Sequence, residues 1–262
     1  MIIRKSEREI EAMARAGRVV AEVLELMGET IRPGLTTGDL DRAAEKHIHS
    51  RGGVPTFKGY RGFPAAICAS PNAMVVHGIP GAYRIESGDL ISVDVGVTLG
   101  GFVADSAYTF AVGEIHPEAQ RLLDSCQAAL GAGIAEARLG NRVGDISAAV
   151  QRVTEEAGFS VVRSLVGHGV GRSMHEEPQI PNFGEPGRGP ELAVGMTLAI
   201  EPMINAGGGE VMMADDGWSI STSDGSLSAH FEHTVAVTAD GPRVLTASGR
   251  LAVAQPAGSL LR

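Results

Sequence analysis

Residues 90–112, LISVDVGVTLGGFVADSAYTFAV, form two largely apolar, β-branched runs on either side of Gly100-Gly101. Runs of this length bounded by turn residues are strand texture, and a glycine pair between them makes a hairpin turn. Each arm carries one carboxylate: Asp94 in LISVDVGV and Asp105 in FVADSAYTF. Folding the hairpin about residues 99–101 sets the two acids across from or diagonal to each other, with Cβ atoms roughly 5–8 Å apart. Two carboxylates so placed in an apolar setting repel unless a proton or a cation lies between them.

Upstream of the hairpin the texture is helical. From Ser6 to about Gly28 apolar residues recur at helical spacing (Ile10, Met13, Val20, Val23, Leu24, Met27), and Arg32-Pro33-Gly34 ends the run. Thr37 or Asp39 caps a second helix that reaches Arg51 and stops at Gly52-Gly53. AAICAS (65–70) reads as a further strand. After Pro117 the same order returns: helices to about Leu139 and from Gly144 to Gly158, then the strand-like FSVVRSLVG, MTLAIEPMI, WSISTS and HFEHTVAVT. Gly38-Asp39-Leu40 reappears 106 residues later as Gly144-Asp145-Ile146. The chain 1–262 is therefore expected to be a single domain of two similar halves, about 1–115 and 116–250, with a short C-terminal tail. Their strands would join in one sheet with helices on its outside, and a site built by both halves would lie between them.

Composition supports a packed enzyme-sized core: of 262 residues, 44% are hydrophobic and 20% charged. A net charge of −9 argues against nucleic acid as the main ligand. Two cysteines, Cys68 and Cys126, provide neither a disulfide framework nor a thiolate zinc site and read as small buried apolar residues. The opening MIIRKSEREIEAM has no apolar signal-type run, and no stretch approaches 18 apolar residues, so a cytoplasmic location without membrane attachment is expected.

Two more acids interrupt apolar runs, Glu201 in TLAIEPMI and Glu232 in AHFEHTVAV, with no lysine or arginine in these segments to neutralise them. Hydrogen bonds can satisfy one such acid, but four of them point to a cation. His168, between glycines in GHGVG that would let the backbone bend sharply, completes a hard, oxygen-rich set. Because carboxylates bridge, Asp94, Asp105, His168, Glu201 and Glu232 could hold two divalent ions about 3.5–4 Å apart. His77 in VVHGIP and His175 in GHGVGRSMHE are the next candidates. His47, His49, His116, His230 and His233 read as ordinary surface or core residues, and Glu176-Glu177 as a solvated acidic pair.

These five residues, at gaps of 11, 63, 33 and 31 and set in SVDVG, VVHGIP and GHGVGRSMHE, resemble the methionine aminopeptidases of the bacterial type I class. The likeness runs from the first helix to about Leu245. It implies an α+β pita-bread fold of the creatinase/aminopeptidase kind, with pseudo-two-fold halves and a central antiparallel sheet flanked by helices. It also implies hydrolytic removal of N-terminal methionine from new proteins when the second residue is small. By this resemblance Asp94 would bind one ion, Asp105 and Glu232 would bridge both, and His168 and Glu201 would complete the other. The metals, of which Mn, Fe, Co and Zn all suit such ligands, would lower the pKa of a bridging water. Glu201 would shuttle its proton, and His77 and His175 would bind the scissile amide.

Tyr60, Phe63, Cys68, Met174 and Trp218 match the family's methionine side-chain pocket, where Met174 replaces a frequent phenylalanine. Phe57, Arg61 and Phe63 depart from the usual cysteine, histidine and tyrosine, which bears on pocket shape and not on the reaction. Partners implied are N-terminal methionyl peptides and nascent chains, with transient contact with the ribosome, no specific nucleic acid, no membrane and a monomeric state. The rival readings are an X-Pro aminopeptidase or prolidase-type peptidase of the same fold, or a non-catalytic pita-bread binding module.

Overall fold

The structure, a computed structural model, describes residues 1–251; the expected C-terminal tail lies almost wholly outside the described residues. Glu9 accepts from the Ser6 backbone N–H (2.9 Å), fixing the start of helix α1 (Glu7–Thr30). Its stripe of Val20, Val23, Leu24 and Met27 is buried on Ile91, Val93 and Val95 of the hairpin. The helix continues through Gly28, beside the Phe110 ring, to Thr30.

Helix α2 (Thr37–Ser50) is capped by Thr36, one residue earlier than expected, and Asp39 accepts from the Thr36 N–H at 2.8 Å. After α3 (Pro117–Glu136) the same device starts α4 (Val143–Glu156), where Asp145 accepts from the Arg142 N–H at 2.6 Å. The glycine of each repeated tripeptide donates its N–H to a facing carbonyl, Gly38 to Gly81 and Gly144 to Arg188, both at 2.9 Å. A Cβ would stand 3.1 Å from the Gly81 oxygen at the first position and 2.4 Å from the Glu185 oxygen at the second. The tripeptide recurs because both halves seat a helix N-terminus against a loop this closely.

Strands Leu90–Leu99 and Phe102–Ala111 pair without a break, from Leu90↔Ala111 to Leu99↔Phe102, across the left-handed Gly100-Gly101 turn. Strand Cys68–Pro71 flanks them, with Cys68 opposite Asp94. In the second half, strand Thr197–Ile200 lies between Val166–Gly169 and His233–Thr238, all antiparallel. Helices α1 and α2 cover the first core and α3 and α4 the second. The strands do not join in one sheet as expected: among the described residues they form four antiparallel sheets, of four, three, three and five strands, because the hairpin meets the last strands through side-chain hydroxyls and not through a continuous ladder. The overall arrangement is nevertheless the pita-bread one of two related halves.

Two segments read as single strands are split. MTLAIEPMI forms Thr197–Ile200 and Met203–Asn205, and HFEHTVAVT contributes to Ser228–His230 and forms His233–Thr238. Glu201 and Glu232 lie in the interruptions and not inside strands. Pro202 has no N–H for the ladder, and the Glu232 N–H is taken by the Ala107 carbonyl of the other half, at 2.9 Å. One register carries through, Ile200↔His233 on one side and Met203↔His230 on the other, and so sets Glu201 opposite Glu232.

Around that Glu232–Ala107 bond the halves meet through threonine hydroxyls. Thr234 Oγ1 accepts from the Asp105 N–H (2.9 Å) and donates to the Asp105 carbonyl (2.8 Å). Thr109 Oγ1 does the same for His230, at 2.9 and 2.8 Å. Among the described residues no helix is long and apolar enough to cross a membrane.

Candidate active site

The hairpin register places Asp105 opposite Gly96 and Asp94 opposite Ala107, so the two acids are diagonal neighbours on one face. Across the seam, Asp105, His168 and Glu232 each bring a ligand atom to within 4.8 Å of the other two. His168 Nε2 is 3.9 Å from Asp105 Oδ2 and 3.6 Å from Glu201 Oε1. The structure thus brings together all five residues singled out as ligands. Asp94 Oδ1, Asp105 Oδ1 and Glu232 Oε1 are buried without a hydrogen-bond partner among the described residues. Anionic oxygens left this way need a positive charge, which a divalent cation supplies.

His168 is prepared to be a ligand. Its Nδ1 lies 2.9 Å from the Gly169 carbonyl, which can only accept, so the ring proton is on Nδ1 and the Nε2 lone pair faces the acids. The flanking glycines serve close approach and not a sharp bend, since neither has a positive φ. A Cβ on Gly167 would stand 2.4 Å from the Ala199 oxygen, and one on Gly169 2.3 Å from that of Glu177. That proximity lets the strand carry the imidazole into the cluster.

Burial disfavours charge throughout the cluster. It raises Asp94 to about 6 and Glu201 to about 8, and lifts Asp105 and Glu232 well above the usual carboxylate range, where neighbouring acids add repulsion. It lowers His168 to about 4. An acid with a raised folded pKa stabilises the fold while protonated, and that stability is lost as pH climbs through the folded value. The imidazoles of His77, His168 and His233, all held near 4, act in the opposite sense only below their ordinary 6.5. Between about pH 6.5 and 8.5 the melting temperature of chelator-treated protein should therefore fall as pH rises. Added Mn²⁺ should restore more at the alkaline end, because cations compete with protons for these oxygens. Scanning fluorimetry in chelator measures this, and a flat or rising melting temperature would contradict it.

The cluster opens into a cavity of about 310 Å³. One wall is aromatic and soft: Phe57, Tyr60, Phe63, Cys68, Met174 and Trp218, with Phe63 and Trp218 edge to face at 5.1 Å. A separate aliphatic cluster supplies Val76, Leu165 and Met203. His77, in a left-handed conformation (φ 60°), and His175 both line the space. Tyr60 Oη lies 2.8 Å from His175 Nδ1; a phenol donating there leaves the ring proton on Nε2 as a donor. All the residues expected at the site line this one cavity.

Two readings need correction. Glu176 is not solvated: it forms a buried ion pair with Lys5 and accepts from the Arg172 N–H, bracing the loop that holds Met174 and His175. His230, set aside as an ordinary histidine, is 2% exposed and lines the cavity, with Nε2 3.6 Å from Glu201 Oε2. Alternation would have found it, since it lies two residues before Glu232 and so on the same face. Burial of Cys68 and Cys126 agrees with the sequence.

The model of Metallopeptidase family M24 matches residues 11–239. The methionine aminopeptidase of Clostridium perfringens is 52% identical, over 94% of this chain and 99% of that protein. The crystal structure of methionine aminopeptidase from Rickettsia prowazekii superposes with a TM-score of 0.93 at 39% identity, covering 94% of this chain and 100% of the other. Prolidase from Pyrococcus furiosus, at 22% identity and a TM-score of 0.76 over 95% of this chain and 66% of its own, shares the fold. The chain belongs to metallopeptidase family M24 and, within it, to the methionine aminopeptidases.

Proposed function

We propose that the chain works as a single catalytic domain. It would release N-terminal methionine from peptides and nascent proteins whose second residue is small, with two divalent cations held by Asp94, Asp105, His168, Glu201 and Glu232. The observation that carries this reading is the convergence of these five side chains, from both halves, on one cavity with an aromatic, thiol-edged wall, with Asp105, His168 and Glu232 buried. Asp94 would hold one cation, Asp105 and Glu232 both, and His168 with Glu201 the other. Manganese, iron, cobalt and zinc all suit this donor set, and availability selects among them. Bound there, the cations supply Lewis-acid charge and an acidified water at neutral pH.

The remaining steps fall to the chain's own groups. Glu201 takes the proton of the attacking water and returns it to the leaving amine. His175 Nε2–H and the His77 imidazole hold the scissile amide and steady the charge that develops on its oxygen. His77→Ala and His175→Ala should each lower kcat/KM about tenfold or more, roughly 1.4 kcal/mol per decade, with metal content near wild type. Loss of an ion in either variant, measured by metal analysis, would move that histidine into the ligand set.

The Tyr60, Phe63, Cys68, Met174 and Trp218 wall forms a slot for an unbranched side chain, in which sulfur gains from aromatic neighbours. The residue across the scissile bond faces Val76, Leu165 and Met203. A peptide panel tests this. Norleucine should be released nearly as well as methionine, since pocket discrimination runs at only ~1–3 kcal/mol per methylene. N-terminal valine and isoleucine should fail, and Gly, Ala and Ser should be accepted in second place where Leu, Lys and Arg are refused. Met174→Phe should change relative rates among first residues and leave metal affinity alone. Efficient release of leucine or lysine, or of residues ahead of proline in preference to methionine, would favour the X-Pro peptidase reading; no chelator-sensitive turnover of either kind would favour a binding module. Acting on nascent chains, the enzyme would work in the cytoplasm, as a monomer in transient contact with the ribosome.

A further inference from the structure

Glu201 lies between two imidazoles. His168 Nε2 faces its Oε1 at 3.6 Å, and His230 Nε2 faces its Oε2 at the same 3.6 Å. The two rings are held differently. His168 is fixed by its own Nδ1–H on the Gly169 carbonyl, which leaves Nε2 as a bare lone pair. His230 is fixed through its backbone: Thr109 Oγ1 accepts from its N–H and donates to its carbonyl, and the residue pairs with Met203, two positions beyond Glu201. The clamp fixes the main chain from which the ring projects. It is buried, and Nε2 has no hydrogen-bond partner among the described residues. Nitrogens of this kind are seldom left unused in folded proteins.

We propose that His230 is a positioning residue for the proton-carrying carboxylate, its Nε2–H holding Glu201 Oε2 while Oε1 is turned toward His168. The last torsion of a glutamate is soft, so a small rotation of Glu201 closes the gap to a hydrogen bond. One lone pair of Oε2 is then occupied, and the other is aimed into the cavity, where water and the leaving amine exchange their proton. Without the donor, the carboxylate is free to turn both oxygens toward the cations and lose its bearing on the water. The inference rests on Glu201 as proton carrier, as proposed above.

His230→Leu tests it, with His230→Met as a second donor-free side chain of similar bulk and His230→Gln as a replacement that keeps an N–H. The donor-free variants should lose about tenfold or more in kcat with KM within about twofold, and His230→Gln should recover most of that loss. Calorimetric titration with Mn²⁺ should give wild-type stoichiometry for all three. In a Glu201→Gln background, His230→Leu should cost nothing further in single-turnover rate, since the two residues act as one unit. Wild-type kcat in a folded donor-free variant would overturn the proposal, as would an additive loss in the double variant. Loss of an ion would overturn it too, by making the ring a ligand. If Glu201→Gln alone keeps its rate, the assignment of the proton carrier fails; if it slows and His230→Leu does not, only the positioning role fails.

Discussion

Stripped of divalent cations by a chelator, the enzyme should turn over at less than about one-hundredth of its loaded rate, and Mn²⁺ or Co²⁺ should bring the activity back. The expectation follows from the oxygens themselves. Among the described residues, Asp94, Asp105 and Glu232 each keep one buried carboxylate oxygen without a partner, and Glu201 stands opposite Glu232 in an interrupted ladder. The guanidinium among the lining groups belongs to Arg61, which lies over the Tyr60 ring at 5.4 Å. Four acids packed this way attract cations and do no useful chemistry when protonated. Assay of metal-analysed protein before and after chelation, with back-titration of each ion, measures the effect. Full turnover in a preparation shown to be free of metal would remove the cations from the reaction.

Glu201→Gln should lower kcat by at least ~10²-fold while the protein still binds its cations. The amide keeps the size of the carboxyl and one ligand oxygen, but it cannot accept and return a proton. Burial disfavours charge on the native carboxyl, and bound cations would draw it back to the ionised form that can take up a proton. Steady-state kinetics beside a metal analysis of the same sample decides the matter. Turnover near wild type with metal still bound would send the search for the base elsewhere.

Much of this was legible in the sequence, and for identifiable reasons. The hairpin Leu90–Leu99/Phe102–Ala111 announces itself by composition and by its glycine turn, and the Gly-Asp-Leu/Gly-Asp-Ile repeat marks two helix starts that need the same close packing. The ligands stood out because charge without a partner is rare in apolar segments. The break at Glu201 was marked in the sequence by Pro202, which has no N–H for the ladder, whereas the one at Glu232 was hidden, because strand periodicity records which face a residue occupies and not whether its ladder partner is supplied by the other half. Glu176 was misread because the Lys5 that neutralises it is 171 positions away. His230 was passed over because a single histidine in an apolar strand is usually structural. Its alternation with Glu232 was the available signal, and its placement 3.6 Å from the Glu201 carboxylate is what the fold adds.

The threonine seam also sets an order of events. Thr109 reaches His230 across 121 positions, and Thr234 reaches Asp105 across 129. The first hairpin closes through a two-glycine turn, so it can form early; closure of the seam must wait for nearly the whole chain and bears a correspondingly larger loop entropy. A chain halted before residue 228 during synthesis would own Asp94, Asp105, His168 and Glu201 and still have no enclosed site. Competence should therefore appear abruptly and late, when the last strands dock. Until then the half-built cluster lacks Glu232 and the seam that encloses it, and the young enzyme spends its synthesis inert.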